Sequence, residues 1–277
     1  MKWHQYVLVT IIALVAESKH FNIGKSFISE ERSNENNNKK SDPKSSRNEI
    51  NSQANSKDMD SKSVLYINIA VHFDYGLTQH LRKYLNATYK NTLKQFASVV
   101  IDDIDQIFKD PELKVKIHFN KLDVKFLKPT PQFDARELET YAYLKSYCKW
   151  QSLIKMKRNI QYYSVLLTNR QLLDYGYGNP PEYTSHSFRG SICNKQLSCT
   201  IVEWNVDRMT FMLGKSIGHS LGMVRDGPPQ NFCRPEGIMS VDTASEPRFN
   251  NTFFTPCNLR DFRNFIATGK ADCLFPK

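Results

Sequence analysis

The sequence lacks several features that would assign it to a class at once. After the N-terminus, no segment approaches the roughly 18 unbroken apolar residues of a transmembrane helix. No two of its six cysteines form a C-x-x-C pair, which argues against a compact metal cluster. No nucleic-acid-binding module is recognisable, although the net charge is +10. We therefore expect a chain that spans no membrane and binds no nucleic acid.

The N-terminus carries an apolar run over residues 6–16, after a basic start at Lys2. This run is too short to cross a bilayer and is typical of a secretory signal peptide, which we place at residues 1–18. The mature chain is therefore expected to be secreted and extracellular. In an exported chain, six cysteines predict three disulfides, and spacing alone leaves their pairing open.

Residues 19–62 are rich in Asn, Ser and Lys and poor in apolar side chains. Such a stretch buries too little surface to offset its ordering entropy, so it is interpreted as a disordered linker or a vestigial pro-segment. Most of the positive charge then belongs to residues 63–277. A basic surface favours acidic proteins, anionic surfaces or sulfated glycans as partners, and a merely solvated surface is the alternative.

Residues 63–277 have the length of one domain, which we expect to be a monomer. Strand and helix patterns alternate along it. The predicted elements, in order, are strand 64–71, helix 81–108, strand 113–126, helix 135–154 and strand 162–167. This order predicts an α/β sandwich.

Residues 214–226 read Gly-Lys-Ser-Ile-Gly-His-Ser-Leu-Gly-Met-Val-Arg-Asp. Their spacing is that of H-E-x-x-H-x-x-G-x-x-H, in which two histidines four apart share a helix face and a glycine turn brings the third to the same zinc ion. Only His219 keeps a histidine at a ligand position. Lys215 and Arg225 hold the other two, and Ser216 holds the position of the glutamate.

These replacements remove the chemistry that the motif serves. An ammonium or a guanidinium has no lone pair to give to a metal. The Ser216 hydroxyl cannot replace the carboxylate that takes a proton from the attacking water. We therefore expect no bound metal, no cofactor and no catalytic residue. A chance match in an amphipathic helix is the alternative, and segments elsewhere in the chain argue against it.

Three further segments accompany the helix motif: Tyr-Tyr-Ser-Val-Leu-Leu-Thr-Asn at 162–169, Cys-Arg-Pro-Glu-Gly-Ile-Met-Ser at 233–240, and Thr-Pro-Cys-Asn-Leu-Arg-Asp-Phe-Arg-Asn-Phe-Ile at 255–266. Together they resemble the adamalysin (reprolysin) type of metzincin protease, from about residue 64 to the end. The resemblance implies a twisted, mostly parallel sheet flanked by helices, with a small irregular C-terminal subdomain.

The resemblance also implies roles for single residues. Met239 is expected to form the methionine turn beneath the metal position. The expected disulfides join Cys193 to Cys273 and Cys233 to Cys257, which leaves Cys148 with Cys199.

Other candidate sites carry less weight. Asn86 and Asn250 begin glycosylation sequons, which suit an exported chain. Ser216 near His219 suggests a serine nucleophile, but no orienting acid or oxyanion site accompanies it. Four histidines lack ligand spacing and are expected to be ordinary surface or core residues: His72, His80, His118 and His186.

These observations favour a secreted, catalytically inactive metalloprotease homologue that binds an extracellular protein or peptide along an edge strand, placed at residues 187–191. An active but divergent zinc endopeptidase, which would bind zinc, is one alternative. A toxin-like effector of the venom or salivary kind is another. We also hypothesise that Lys215 and Arg225 create a pocket for a carboxylate or sulfate, against the alternative that both side chains extend into solvent.

Overall fold

The computed structural model describes residues 64–85, 89–129, 139–172, 184–228, 230–240 and 253–276. Its sheet has the strand order β2-β1-β3-β5-β4. The strands β1, β2, β3 and β5 pair in parallel, and β4 is antiparallel to β5. The strands are β1 Val64–Phe73, β2 Lys116–Phe126, β3 Tyr163–Thr168, β4 Ser185–Ser187 and β5 Cys199–Glu203. This mostly parallel sheet confirms the metzincin-type α/β prediction.

Five α-helices accompany the sheet in the described residues: α1 Tyr75–Arg82, α2 Tyr89–Ile107, α3 Thr140–Arg158, α4 Met209–Ser220 and α5 Pro256–Ala267. Short 3-10 turns lie at Pro111–Leu113 and Asp272–Leu274. None of the helices in these residues is long and apolar enough to cross a membrane.

The helices cover the two faces of the sheet unequally. Helix α3 packs Tyr147 and Cys148 against Leu166 and Ile201, which point to one face. Helices α2, α4 and α5 contribute to a larger apolar cluster that includes Val165 and other side chains of the opposite face. Alternate strand residues therefore serve different layers, as the two-residue repeat of a strand requires.

The expected helix 81–108 is wrong in its extent, because the structure has two helices there. Asp74 begins α1 by accepting a hydrogen bond from the backbone N–H of Leu77. The helix ends after Arg82, where Lys83 and Tyr84 donate backbone hydrogen bonds three residues back, to His80 and Leu81.

Other boundaries also differ from the expectations: β1 extends to Phe73 rather than 71, and β2 begins at Lys116 rather than 113, after the 3-10 turn. Helix α3 begins after Glu139, whose side chain accepts from the backbone N–H of Ala142, and ends at left-handed Asn159, so it covers 140–158 rather than 135–154. The edge strand covers 185–187 rather than 187–191. The chain turns directly after it, where Gly190 has φ +62°.

Three disulfides join Cys148 to Cys199, Cys193 to Cys273 and Cys233 to Cys257. The first ties α3 to β5, and the second ties the segment after β4 to the C-terminal turn. The expectation of three disulfides is confirmed. The predicted signal peptide, the predicted linker at 19–62 and the sequon asparagines Asn86 and Asn250 lie outside the described residues.

Candidate functional site

Helix α4 lies directly on the turn that contains Met239, and its glycines make this approach possible. A Cβ at Gly214 would lie 2.6 Å from Cδ1 of Ile238, and a Cβ at Gly218 would lie 2.7 Å from Sδ of Met239. Both distances are shorter than van der Waals contact, so any larger residue would push the helix and the turn apart. Ile238 and Met239 are fully buried.

A cavity of about 230 Å³ opens between β4, α4 and the segment after α4. The cavity coincides with the sequence motif, since four motif residues line it: Lys215, Ser216, His219 and Arg225. The described lining residues are Ser185, His186, Ser187, Arg189, Lys215, Ser216, His219, Val224, Arg225, Gln230 and Met239.

Lys215 is held at the base of this cavity. Its side chain is buried, and Nζ donates a hydrogen bond to the backbone oxygen of Ser240, next to Met239. Nζ also lies 5.6 Å from the ring centre of Phe211, a cation–π distance. The alternative that the Lys215 side chain extends into solvent is therefore wrong.

Ser216 is buried and fully engaged in local hydrogen bonds. Its Oγ donates to Oγ of Ser185 over 2.9 Å, and Ser185 in turn donates to the backbone oxygen of Met212 over 3.0 Å. The Ser216 backbone oxygen accepts from Oγ of Ser187 over 2.9 Å. The hydroxyl at the former glutamate position thus links α4 to the edge strand.

His219 lies at the wall of the cavity, with Nδ1 3.4 Å from Oγ of Ser187. Burial first, and then the positive charge of Arg225, lowers the pKa of His219 from 6.5 to about 4. A hydrogen bond to the Ser187 backbone opposes this shift. The imidazole is therefore neutral at pH 7.

Two arginines complete the positive wall of the cavity. Arg225 is half-buried and forms no ion pair with a described residue. Arg189 is exposed, and its Nε donates to the backbone oxygen of Gly222 over 3.0 Å. No described residue that lines the cavity is Asp or Glu.

The residues present do not fit a catalytic zinc ion. Such an ion takes three protein ligands with free lone pairs. The described lining offers two imidazoles, His186 and His219, and no carboxylate or thiolate. Lys215 acts as a donor towards Ser240, and the Arg225 guanidinium has donors only. Its fixed charge would also repel a dication.

Within the described residues, three potential ligands gather elsewhere, namely Asp226, Cys233 and Cys257. Both cysteines are used in their common disulfide, so neither offers a thiolate. Asp226 is fully buried and accepts hydrogen bonds from Thr255 and Asn258. Burial raises its pKa to about 6. This cluster holds the C-terminal subdomain against the chain after α4.

The sequence motif located the cavity but missed residues that share it. His186 and Arg189 come from the edge strand and the turn after it, about 20 residues before α4 begins, and long-range contacts bring them there: β4 pairs with β5, and Arg189 donates to the Gly222 backbone. Of the four histidines expected to be ordinary surface or core residues, the other three, His72, His80 and His118, are not among the described lining residues. His72, for example, is buried with Nδ1 2.7 Å from the hydroxyl of Tyr147.

The fold and this site define a metzincin-type protease scaffold. A family model described as "Reprolysin (M12B) family zinc metalloprotease" matches residues 66–277. The chain therefore belongs to the reprolysin (M12B) family.

Curated relatives match over part of their length. The chain is 24% identical over 188 residues to "A disintegrin and metalloproteinase with thrombospondin motifs 18" of Mus musculus, covering 67% of this chain and 15% of that protein. It is 30% identical over 134 residues to "A disintegrin and metalloproteinase with thrombospondin motifs 16" of Homo sapiens, covering 47% and 11%. A solved structure entitled "Structure of a chaperone-substrate complex" has a TM-score of 0.48 at 10% identity, covering 76% of this chain and 34% of that one, a likeness too weak to carry an argument.

Proposed function

We propose that this protein is a secreted, catalytically inactive reprolysin homologue that acts by binding an extracellular protein or peptide. The observation that supports this proposal is the lining of the motif cavity. Lys215, Ser216 and Arg225 stand where the family motif has two zinc ligands and a general base, and all three line the cavity.

The local contacts argue against a hidden catalytic role for these side chains. Hydrolysis of a peptide bond needs an activated water and a group that accepts its proton. The Ser216 hydroxyl donates a hydrogen bond to Ser185, and Lys215 donates one to the Ser240 backbone. Neither is arranged as a general base.

The geometry of the edge strand favours a peptide as the bound partner. In the described residues, β4 lies at the end of the sheet and pairs only with β5. The three residues of β4, Ser185, His186 and Ser187, also line the cavity. An extended peptide can add to such an edge through main-chain hydrogen bonds.

The secreted location belongs to the same proposal. A signal peptide at residues 1–18, export with three disulfides, and glycans on Asn86 and Asn250 form one consistent picture. Residues 19–62 are proposed as a linker or vestigial pro-segment.

A divergent zinc endopeptidase is the alternative, and one observation favours it. His186 and His219 line the same cavity, which gives a metal two neutral imidazoles. Against it stand the positive charges of Arg189 and Arg225 in that lining.

Cleavage of a denatured protein substrate distinguishes the inactive binding homologue from the divergent zinc endopeptidase. The wild-type chain is compared with a variant that carries Lys215→His, Ser216→Glu and Arg225→His together. We expect no cleavage by the wild type with added zinc, and zinc-dependent cleavage by the variant. Zinc-dependent cleavage by the wild type, lost in His219→Ala, would establish the alternative.

Binding along β4 is tested separately with fluorescent peptides of about eight residues, which is within the usual range of strand lengths. N-methylation of alternate backbone nitrogens removes the donors on one edge of an extended peptide. We expect methylation of one edge to weaken binding to the full chain at least tenfold and methylation of the other edge to have little effect. Equal effects on both edges would refute strand addition.

A further inference from the structure

The cavity beside β4 concentrates positive charge and hydroxyl groups, and no Asp or Glu is among its described lining residues. Arg189, Arg225 and Lys215 line it together with two imidazoles. Ser185, Ser187 and Ser216 belong to the same lining. A concave site with one sign of charge attracts ligands of the other sign more strongly than an open surface does.

The two arginines differ from the lysine in what they offer a ligand. Lys215 is fixed at the base by its hydrogen bond to the Ser240 backbone, so it contributes mainly its charge. Arg189 is oriented by its Nε bond to the Gly222 backbone, and its terminal nitrogens form no hydrogen bond with a described residue. Arg225 is half-buried at the cavity and likewise has no described ion-pair partner.

A carboxylate is the anion that suits this arrangement. A guanidinium presents a planar fork of donors that matches the two oxygens of a carboxylate, and charge-assisted pairs of this kind are the strong ones. The volume of about 230 Å³ is several times the roughly 30 Å³ of a water molecule, so an acidic side chain can enter. The positive charge of Arg225 lowers the pKa of His219, which lines the same cavity.

We infer that this cavity is a carboxylate subsite, with Arg225 and Arg189 as its principal contacts, for an acidic peptide that lies along β4. This inference rests on the proposed function, because it assumes an extended peptide on that edge. It deepens that function by naming the chemistry that the pocket selects. The carboxylate belongs either to an Asp or Glu side chain or to a peptide C-terminus.

The test measures binding of the full chain to pools of fluorescent, N-acetylated octapeptides. One pool has a fixed Glu and an amidated C-terminus, a second has Gln instead, and a third has Gln with a free C-terminal carboxylate. We expect the wild type to bind the Glu pool or the free-acid pool at least tenfold more tightly than the neutral pool. Which acidic pool binds identifies the source of the carboxylate.

Arg225→Ala and Arg189→Ala should each reduce this preference at least threefold, and so should Arg225→Gln, which removes the charge but keeps a polar side chain. Arg263→Ala is the matched control, because it removes the same charge from an exposed position outside the cavity lining. Its preference should equal that of the wild type. An equal loss in Arg263→Ala would show that the whole positive surface, rather than the cavity, attracts the peptide.

A second measurement needs no peptide on the strand. The NMR signals of the His219 imidazole are followed while N-acetylglutamate methylamide or its Gln counterpart is added, with the wild type and with Arg225→Gln. Saturable shifts with the Glu compound alone, lost in the variant, support the subsite even if no octapeptide pool binds. Tight binding of all pools without an acidic preference keeps the proposed function and overturns the carboxylate subsite. Stronger binding of a heparin oligosaccharide than of the Glu pool, lost in Arg225→Gln, would instead assign the pocket to sulfate.

Discussion

The two sides of helix α4 differ: one is closely packed against the methionine-containing turn, and the other lines the cavity. On the side that meets the methionine-containing turn, Gly214 and Gly218 leave no space for a Cβ against Ile238 and Met239. On the side that lines the cavity, Lys215 and its neighbours have the wrong chemistry for zinc. The packed side keeps the close contacts of the scaffold, and the cavity side carries Lys215, Ser216 and Arg225 where the family motif has two zinc ligands and a general base. Packing and chemistry are thus separable demands on one helix.

The largest expected loss of stability comes from a substitution in the turn directly after α4. Gly222 has φ +93°, and a Cβ there would lie 2.8 Å from Cβ of Phe265. Gly222→Ala should destabilise the fold by about 3 kcal/mol, through backbone strain plus overlap. Gly269→Ala is the control, because Gly269 also has positive φ (+70°) but its nearest neighbour would be 3.5 Å away. Its cost should be about 1 kcal/mol. Equal costs in chemical denaturation would contradict the close packing.

A smaller effect is expected when the two sides of α4 are compared directly. Gly218→Ala should cost about 2 kcal/mol, because its Cβ would meet Sδ of Met239 at 2.7 Å. Ser216→Ala should cost about 1 kcal/mol, since it loses one hydrogen bond while Ser185 keeps its bond to Met212. Thermal or urea unfolding measures both. A larger cost for Ser216→Ala would break the contrast between the two sides.

The next prediction concerns the pH dependence on the cavity side. The folded-state pKa of His219 is about 4, below its ordinary value of 6.5. The unfolded state therefore binds the proton more readily over this interval, so the contribution of His219 to stability is present above pH 6.5 and is lost as the pH falls towards 4. His219→Gln should flatten this part of the stability profile.

The contribution of Asp226 to stability changes with pH in the opposite direction. Its folded-state pKa is raised to about 6, so its ionisation weakens the fold as the pH rises.

The smallest expected effect is a change in the pKa of His219. Because Arg225 is the second cause of the low pKa of His219, Arg225→Gln should raise that pKa without returning it to 6.5. Burial, the first cause, remains in the variant. NMR titration of the His219 imidazole measures this shift, and Arg263→Gln serves as the control. A pKa that is unchanged in Arg225→Gln would show that the Arg225 charge does not reach the cavity.

The sequence predicted the order of strands and helices because hydrophobic periodicity and the three C-terminal motifs report local structure. It did not show the end of α1 at Arg82, since apolar residues continue at helical spacing through the break. The cap at Asp74 was a signal that could have marked an earlier helix start.

The cavity was predictable only in part. Lys215, Ser216, His219 and Arg225 follow from the spacing of one motif on a helix and the turn after it. The β4 residues reach the cavity while paired with β5, and Arg189, in the turn after β4, reaches it while bonded to the Gly222 backbone; no local pattern encodes these contacts. The engagement of Lys215 with the Ser240 backbone is likewise a long-range contact.

The central claim is that this cavity cannot hold the catalytic zinc of its family. The most direct measurement is the zinc content of the purified full chain, after incubation with zinc and extensive dialysis, by elemental analysis. The account predicts less than about 0.1 zinc per chain, because His186 and His219 alone provide too few ligands. One zinc per chain, lost in His219→Ala, would contradict it.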